Sequence, residues 1–173
     1  LNKYLALLEK WNKVFNLSAI RSPEEMVSAH LLDSLSLVPY LEKQHARVLD
    51  VGSGAGLPGV PLAITCQDKE FVLLDSNGKK TRFLQQVKID LGLTNLRVAQ
   101  ARFEDYRPEQ NFAIVVSRAF TSLQAFFHNG RRLLNPGGQL FAMKGKRPND
   151  EIAQLPDPSI VDQVIPLQVP FLH

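Results

Sequence analysis

The sequence predicts a three-layer α/β fold in which a doubly wound parallel sheet follows a helical segment. Two observations carry this prediction. Residues 1–45 show helical periodicity, whereas from Arg47 onward short β-rich runs alternate with helical stretches. The strand-like runs are also mostly apolar, which is typical of parallel strands that helices cover on both faces of the sheet.

Two helices are predicted in the N-terminal region. In residues 1–17 the apolar side chains recur at spacings of three and four, as on one face of a helix. This stripe consists of Leu1, Leu5, Leu8, Trp11 and Phe15. We interpret Trp11 as a core residue rather than as a platform on which a base stacks. A second helix begins near Ser22 and carries "MVSAHLLDSLSLVPYL", where Pro39 is expected to interrupt it.

The remainder of the chain predicts strands that alternate with helices. The strands are "RVLDVG", "EFVLLDS", "LRVAQA", "FAIVVSRA" and "QLFAMKG". The helices between them are "LPGVPLAITC", "NGKKTRFLQQVKIDLGL" and "TSLQAFFHNGRRLL", and "NPGG" is expected to form a turn. A further strand is predicted in "VDQVIPLQVPF", although Pro166 and Pro170 weaken it. We therefore divide the chain into a helical extension, 1–45, packed on a core, 46–173.

Composition narrows the setting without defining the function. A length of 173 residues suits one domain, and a net charge of +3 is compatible with a nucleic-acid partner but does not show one. The single cysteine, Cys66, excludes an intrachain disulfide and indicates a reducing, cytoplasmic setting with no disulfide partner. No apolar run reaches about 18 residues, so we expect no membrane span. The chain starts within a helical pattern, and both ends are expected to be incomplete.

A glycine-rich loop follows the first predicted strand. Gly52, Gly54 and Gly56 occupy alternate positions, a spacing that differs from the G-x-G-x-x-G fingerprint of dinucleotide sites. A phosphate-binding Walker loop would need Lys followed by Ser or Thr, where this chain has Val60 and Pro61. The loop therefore indicates a ligand other than a dinucleotide or a nucleoside triphosphate.

An aspartate ends the second predicted strand. Asp75 lies about 23 residues after Gly52, at the place where an acidic residue accepts both hydroxyl groups of a ribose. A glycine loop with a ribose acceptor but no phosphate chemistry indicates a nucleoside without phosphates. S-adenosylmethionine, an adenosine with an amino-acid tail, fits this description. No metal site is predicted.

Several sequence blocks together resemble the bacterial GidB/RsmG family, the methyltransferases that make 7-methylguanosine in 16S ribosomal RNA. The blocks are "KWNKVFNLSAIRSPEEMVSAHLLDSL" (10–35), "VLDVGSGAGLPGVPLA" (48–63), "LLDSNGKKTRFL" (73–84), "ARFED" (101–105), "VVSRAF" (115–120), "AMKG" (142–145) and "IPLQVP" (165–170). The resemblance covers nearly the whole chain. It implies a class I methyltransferase, a Rossmann-like three-layer sandwich, that uses S-adenosylmethionine and acts on the ribosomal RNA or the small ribosomal subunit. We expect a monomer.

The resemblance also implies which residues bind the cofactor. They are Gly52, Leu57, Phe103, Glu104 and Arg118, to which the glycine loop adds Gly54 and the general class I pattern adds Asp75. Phe103 would offer an apolar face to adenine, and Glu104 or the backbone nearby would accept from its amino group. Arg118 would pair with a carboxylate or with an RNA phosphate. Guanine N7 carries a lone pair and no proton, so no general base is needed and no catalytic residue is assigned.

Basic residues near the predicted carboxyl ends of the strands are candidates for an RNA surface. Lys144, Lys146 and Arg147 follow the fifth strand. Arg131 and Arg132 are further candidates, but they also suit the C-terminal end of a helix, where cations favour the helix dipole. The cluster of Lys79, Lys80 and Arg82 is interpreted as a solvated helix face.

The block "HLLDS" allows two interpretations. His30, Asp33 and Ser34 share one helix face, and this face either lines the substrate side of the cofactor pocket or forms a hydrogen-bonded seam against the sheet. Alternative functions also remain: a class I methyltransferase acting on a small molecule or a protein, a non-catalytic RNA-binding or cell-division protein on the same scaffold, and, more distantly, a nicotinamide-dependent oxidoreductase.

Overall fold

The computed structural model describes residues 1–41, 46–118 and 122–171. Its five strands form one sheet: β1 (Arg47–Val51), β2 (Glu70–Asp75), β3 (Leu96–Gln100), β4 (Phe112–Arg118) and β5 (Leu134–Met143). The strand order is β3-β2-β1-β4-β5, and every pair is parallel. The five predicted strands of the sheet are thus confirmed, with β1 at its centre.

Helices flank this sheet on both faces. They are α1 (Asn2–Phe15), α2 (Pro23–Met26), α3 (Asp33–Leu35), α4 (Gly59–Thr65), α5 (Gly78–Leu91), α6 (Leu123–Gly130) and α7 (Asn149–Ala153). One apolar cluster joins α1, α4 and α5 to one face of the sheet, and a second cluster packs α6 on the other face. The predicted three-layer α/β sandwich is confirmed.

The second N-terminal helix winds in three different ways. It begins as α2, continues as a π-helical turn over Val27–Leu32 and ends as α3. A 3₁₀ turn, Val38–Tyr40, contains Pro39. The helix was predicted from periodicity, but the π-helical turn was not, because the apolar spacing in so short a stretch does not distinguish i→i+5 from i→i+4 hydrogen bonds.

The N-terminal helices contribute to the core. Tyr4 and Leu8 of α1 are fully buried, and the Trp11 ring lies 5.5 Å from that of Phe83 on α5. The core interpretation of Trp11 is therefore confirmed. Cys66 is also buried, as its apolar sequence neighbours suggested. The proposed boundary at residue 45 falls in 42–45, outside the described residues.

Two predictions at the C-terminal side are wrong. "NPGG" is not a free turn: β5 begins before it, and Phe112 pairs with Leu134 whereas Ile114 pairs with Gln139, so these residues form a bulge within the strand. The strand predicted in "VDQVIPLQVPF" is also wrong, since residues 161–169, all described, form none. Pro166 and Pro170 lack the N–H that a sheet ladder requires.

Among the residues described, no helix has both the length and the hydropathy needed to cross a membrane.

Candidate active site

The loop after β1 opens onto free space at the carboxyl edge of the sheet. Gly52 has φ +68°, and a Cβ built there would meet no atom within 4 Å. Gly56 has a different role, because a Cβ there would lie 2.5 Å from Val60 Cγ2 and 2.9 Å from Leu84 Cδ2. The first position thus leaves a cradle beside the backbone, whereas the second allows α4 and α5 to pack.

Leu57 belongs to the packed side of this loop. Its side chain is buried, and its N–H donates to the Ser53 carbonyl oxygen at 3.0 Å. The peptide bond between Leu57 and Pro58 is cis. Leu57 therefore shapes the loop through its backbone and its packing.

Asp75, at the end of β2, fixes the loop to the start of α5. Its Oδ2 accepts from the Gly54 N–H at 2.9 Å, and its Oδ1 accepts from the Asn77 N–H at 2.8 Å. Lys80 Nζ lies 3.9 Å from Oδ2. Each carboxylate oxygen accepts up to two hydrogen bonds, so the group retains capacity to bind hydroxyl groups as well.

Asp50 is a polar residue of the site to which the sequence analysis assigned no role. It is fully buried in β1, and its Oδ2 accepts from the Gly59 N–H at 3.0 Å. Within the described residues its Oδ1 has no hydrogen-bond partner. Burial raises the pKa of Asp50 to about 7, an effect that the Gly59 hydrogen bond and the charge of Arg118 partly oppose. One aspartate inside the apolar run "RVLDV" was the available signal.

Arg118, at the end of β4, contacts the N-terminal helices. Its Nη1 donates to the Ala29 carbonyl oxygen at 3.0 Å and lies 3.1 Å from Asp33 Oδ2. Ala29 belongs to the π-helical turn. The guanidinium therefore links the edge of the sheet to the helical segment. The carboxylate that it pairs with in this structure is that of Asp33.

In the "HLLDS" block, the hydrogen bonds of His30 and Ser34 lie within the N-terminal helical segment, and only Asp33 forms part of the predicted seam against the sheet. His30 Nδ1 donates to the Ala29 carbonyl oxygen at 3.0 Å, and its Nε2 accepts from the Ser18 hydroxyl at 2.7 Å. Ser34 Oγ donates to the His30 carbonyl oxygen at 2.6 Å. Burial lowers the pKa of His30, which favours the neutral ring that this pattern needs. Asp33 faces Arg118 rather than this network.

Phe103 and Glu104 lie on the segment after β3. The Phe103 ring is 6% exposed and packs against Phe126, with ring centroids 6.1 Å apart. Little of the ring is therefore available as a face for adenine. The Glu104 side chain is exposed and lies 3.8 Å from Arg102.

Arg132 holds this same segment in place. Its guanidinium donates to the carbonyl oxygens of Phe103, Glu104 and Tyr106 at 2.5, 3.1 and 2.8 Å. These contacts give Arg132 a structural role that neither the RNA interpretation nor the helix-dipole interpretation anticipated.

Of the three basic candidates after β5, one is engaged within the protein. Lys144 Nζ lies 2.8 Å from Oε2 of Glu151, and the same oxygen accepts from the Leu123 N–H at 2.8 Å. The hydrogen bond from Lys144 lowers the pKa of Glu151. Lys146 and Arg147 are exposed on the connection between β5 and α7. Ala119 and Phe120 of the "VVSRAF" block lie outside the described residues.

Replacing Asp50 with Asn is expected to stabilise the protein more at pH 7 than at pH 4. The pKa of Asp50 is raised from 3.8 to about 7 in the folded state, so its contribution to stability is complete below pH 4 and is lost as pH rises toward 7. Asn carries no charge and keeps an acceptor for Gly59. Each pKa unit corresponds to about 1.4 kcal/mol.

Urea unfolding of both proteins across this pH range measures the effect, with Asp162→Asn as the control at an exposed carboxylate. A difference between wild type and Asp50→Asn that stays constant with pH would contradict the assignment.

Comparison of the sequence with known proteins identifies the family of the chain. A family model described as "rRNA small subunit methyltransferase G" matches residues 1–173. The "Ribosomal RNA small subunit methyltransferase G" of Pseudomonas aeruginosa is 56% identical over 167 residues, which cover 96% of this chain and 78% of the relative. The protein of that name from Chromobacterium violaceum is 54% identical over 172 residues, covering 99% and 82%.

A solved structure supports the fold independently. A SAM-dependent methyltransferase from Aquifex aeolicus superimposes with a TM-score of 0.59 at 18% identity, covering 82% of this chain and 77% of that one. The fold is thus that of class I methyltransferases, and the chain belongs to the ribosomal RNA small subunit methyltransferase G family.

Proposed function

We propose that this protein transfers a methyl group from S-adenosylmethionine to N7 of a guanine in 16S ribosomal RNA. The observation that carries the proposal is the match to the family over the whole chain, N-terminal helices included. A match limited to the sheet and the glycine loop would support only methyl transfer in general. The extension to residues 1–45 supports the specific substrate.

The loop and the aspartates fit the cofactor. Gly52 leaves an open cradle, in which the backbone approaches a ligand without a side chain between them. Asp75 has the remaining acceptor capacity for two ribose hydroxyls, while its bonds to Gly54 and Asn77 keep the loop in position. Asp50 adds a buried oxygen, Oδ1, for which the described part of the chain supplies no hydrogen-bond partner.

The outer part of the cofactor site is proposed to use the segment after β3. Because the Phe103 ring is packed in the core, we assign it a backbone role and leave contact with the adenine amino group to Glu104 or its neighbours. Arg132 supports this role by holding the segment through three carbonyl oxygens. Leu57 contributes by shaping the loop, as its burial suggests.

Little acid–base chemistry is required of the chain. When bound, S-adenosylmethionine supplies the methyl group on a sulfonium, which is an activated electrophile. The task of the protein is to hold N7 in line with that group and to exclude other orientations. The base has to leave its stack or be unpaired already. Arg118 is proposed to contact the carboxylate of the cofactor or the phosphate next to the target base.

The RNA is proposed to run along the connection after β5. Lys146 and Arg147 are exposed there, near the carboxyl end of the strand. Lys144 is already paired with Glu151, so we assign it mainly to the support of this surface. The protein is proposed to act as a monomer in the cytoplasm, where its RNA substrate is found.

Mapping of the methylated nucleotide tests the function. Purified protein is incubated with labelled S-adenosylmethionine and either small ribosomal subunits or deproteinised 16S RNA that lacks the modification. We expect label in one guanosine, at a position sensitive to the reduction and cleavage that reveal 7-methylguanosine. Label on another atom or in ribosomal protein, or no transfer to either substrate, would overturn the proposal.

Replacing Gly52 with Ala is expected to weaken cofactor binding about tenfold or more, a change of about 1.4 kcal/mol, because the new Cβ enters the cradle. Gly137→Ala is the matched control: its φ of +71° is nearly the same and its Cβ also meets nothing within 4 Å, but it lies in the bulge of β5. Calorimetry with S-adenosylhomocysteine measures both. Equal affinities in the two variants would contradict the position of the site.

Replacing Arg147 with Ala is expected to weaken RNA binding and to reduce its salt dependence. The slope of log K against log salt falls by about 0.7–0.9 for each lost phosphate contact. Arg97→Ala removes the same charge from an exposed position near the amino end of β3 and should leave the slope unchanged. Filter binding across salt concentrations measures both variants. An equal effect of the two would contradict an RNA path along this connection.

A further inference from the structure

The carboxylate of Asp33 lies beside Arg118, at the carboxyl end of β4. The carboxyl ends of the strands follow the order of the sheet, β3, β2, β1 and β4. The edge therefore presents, in this order, the segment after β3, Asp75 on β2, Gly52 after β1 and Arg118 on β4. If adenine lies at the first of these and the ribose at Asp75, the reactive end of the cofactor lies toward β4. Asp33 is the side chain that Arg118 holds there, at 3.1 Å.

Asp33 is held firmly but is not enclosed. Arg118 Nη1 is shared between Asp33 Oδ2 and the Ala29 carbonyl oxygen, so the guanidinium has a fixed position. The side chain of Asp33 is 22% exposed. Asp33 therefore presents a partly exposed carboxylate oxygen, Oδ1, to which no described residue donates a hydrogen bond.

The chemistry of guanine matches this acceptor. Guanine presents two parallel donors, N1–H and the 2-amino group, on its Watson–Crick edge, and a carboxylate can accept both. Adenine presents an N1 lone pair at the corresponding place, which a carboxylate repels. The Watson–Crick edge is separate from N7, so a base held in this way leaves N7 uncovered.

We propose that Asp33 binds the Watson–Crick edge of the target guanine; this rests on the proposed function. Methylation at N7 spreads positive charge over the purine and makes N1–H and the amino group better donors. Their hydrogen bonds to the carboxylate therefore strengthen as the methyl group is transferred, which lowers the barrier rather than only improving binding. Arg118 and Ala29 act as positioning groups for the carboxylate.

The test is a double-mutant cycle that combines one substitution in the protein with one substitution of the target base. Asp33→Asn keeps the size of the side chain and an acceptor for Arg118. The RNA change replaces the target guanosine with inosine, which lacks the 2-amino group and keeps N7, in reconstituted small subunits. Single-turnover methyl transfer and equilibrium RNA binding in the presence of S-adenosylhomocysteine are measured for all four combinations.

We expect the wild type to lose about tenfold in rate on inosine, the scale of one missing hydrogen bond to a charged group. Asp33→Asn should be slower on guanosine by about tenfold to a hundredfold and should no longer distinguish the two bases in rate or in binding. Its affinity for S-adenosylhomocysteine should be unchanged.

A purely structural role for Asp33 predicts the same loss on both bases, and that additive result would overturn the proposal. Loss of cofactor affinity in Asp33→Asn would overturn it as well. Failure of the proposed function gives a different result, because the wild type would then transfer no methyl group to the guanosine subunits.

Discussion

The position of β1 is the constraint on which the rest of this structure depends. It pairs with β2 on one side and β4 on the other, and four of its five residues are buried. The backbone N–H and C=O groups at the end of β1 are shielded from water by the neighbouring strands. Other groups of the protein therefore form hydrogen bonds with them. Gly52 N–H donates to the Leu74 carbonyl oxygen at 2.8 Å, and Ser117 Oγ donates to that of Val51 at 2.8 Å. The glycine loop is held by these bonds.

The N-terminal helices extend this arrangement. Tyr4 is fully buried on α1, and its hydroxyl donates to the Ala55 carbonyl oxygen in the glycine loop at 2.7 Å. Burial raises the pKa of Tyr4 far above its ordinary value, so the phenol remains a donor. Arg118 makes the second connection, to Ala29. The helical segment thus contacts both the loop after β1 and the end of β4, and so it helps to hold these two parts of the candidate site in position.

The sequence predicted the sheet because local pattern and tertiary role agree there. Strands buried on both faces have to be apolar, and five apolar runs of the sequence became the five strands of the sheet. The failures arise where the two disagree. The run "VDQVIPLQVPF" is apolar enough for a strand, but Val164 and Ile165 are exposed and two prolines interrupt it. "NPGG" has turn chemistry, yet it bulges within β5.

The residues of the candidate site were also predictable only where the local sequence pattern agrees with the tertiary structure. Asp75 and the glycine loop were identifiable from their spacing along the chain, and the structure joins them through the hydrogen bond from Gly54 N–H to Asp75. The sequence could not show that Lys144 is paired whereas Lys146 is exposed, because the contact of Lys144 with Glu151 depends on the position of α7. Phe103 was interpreted as a ligand face, but an aromatic residue after a strand packs inward as easily. Asp50 needed the register of β1 before its burial was known.

The carboxyl edge of the sheet brings carboxylates and cations close together. The chain carries a net charge of +3, yet Asp33, Asp50 and Asp75 gather at this edge. Arg118 pairs with Asp33, and Lys80 is 3.9 Å from Asp75. A sulfonium cofactor and a purine that becomes cationic are both favoured by carboxylates held in place before the reaction. Surface cations such as Arg147 suit the opposite task, the binding of phosphates. Under the proposed function, surface cations would attract the polyanionic RNA, and the carboxylates at the sheet edge would stabilise positive charge on the base that reacts.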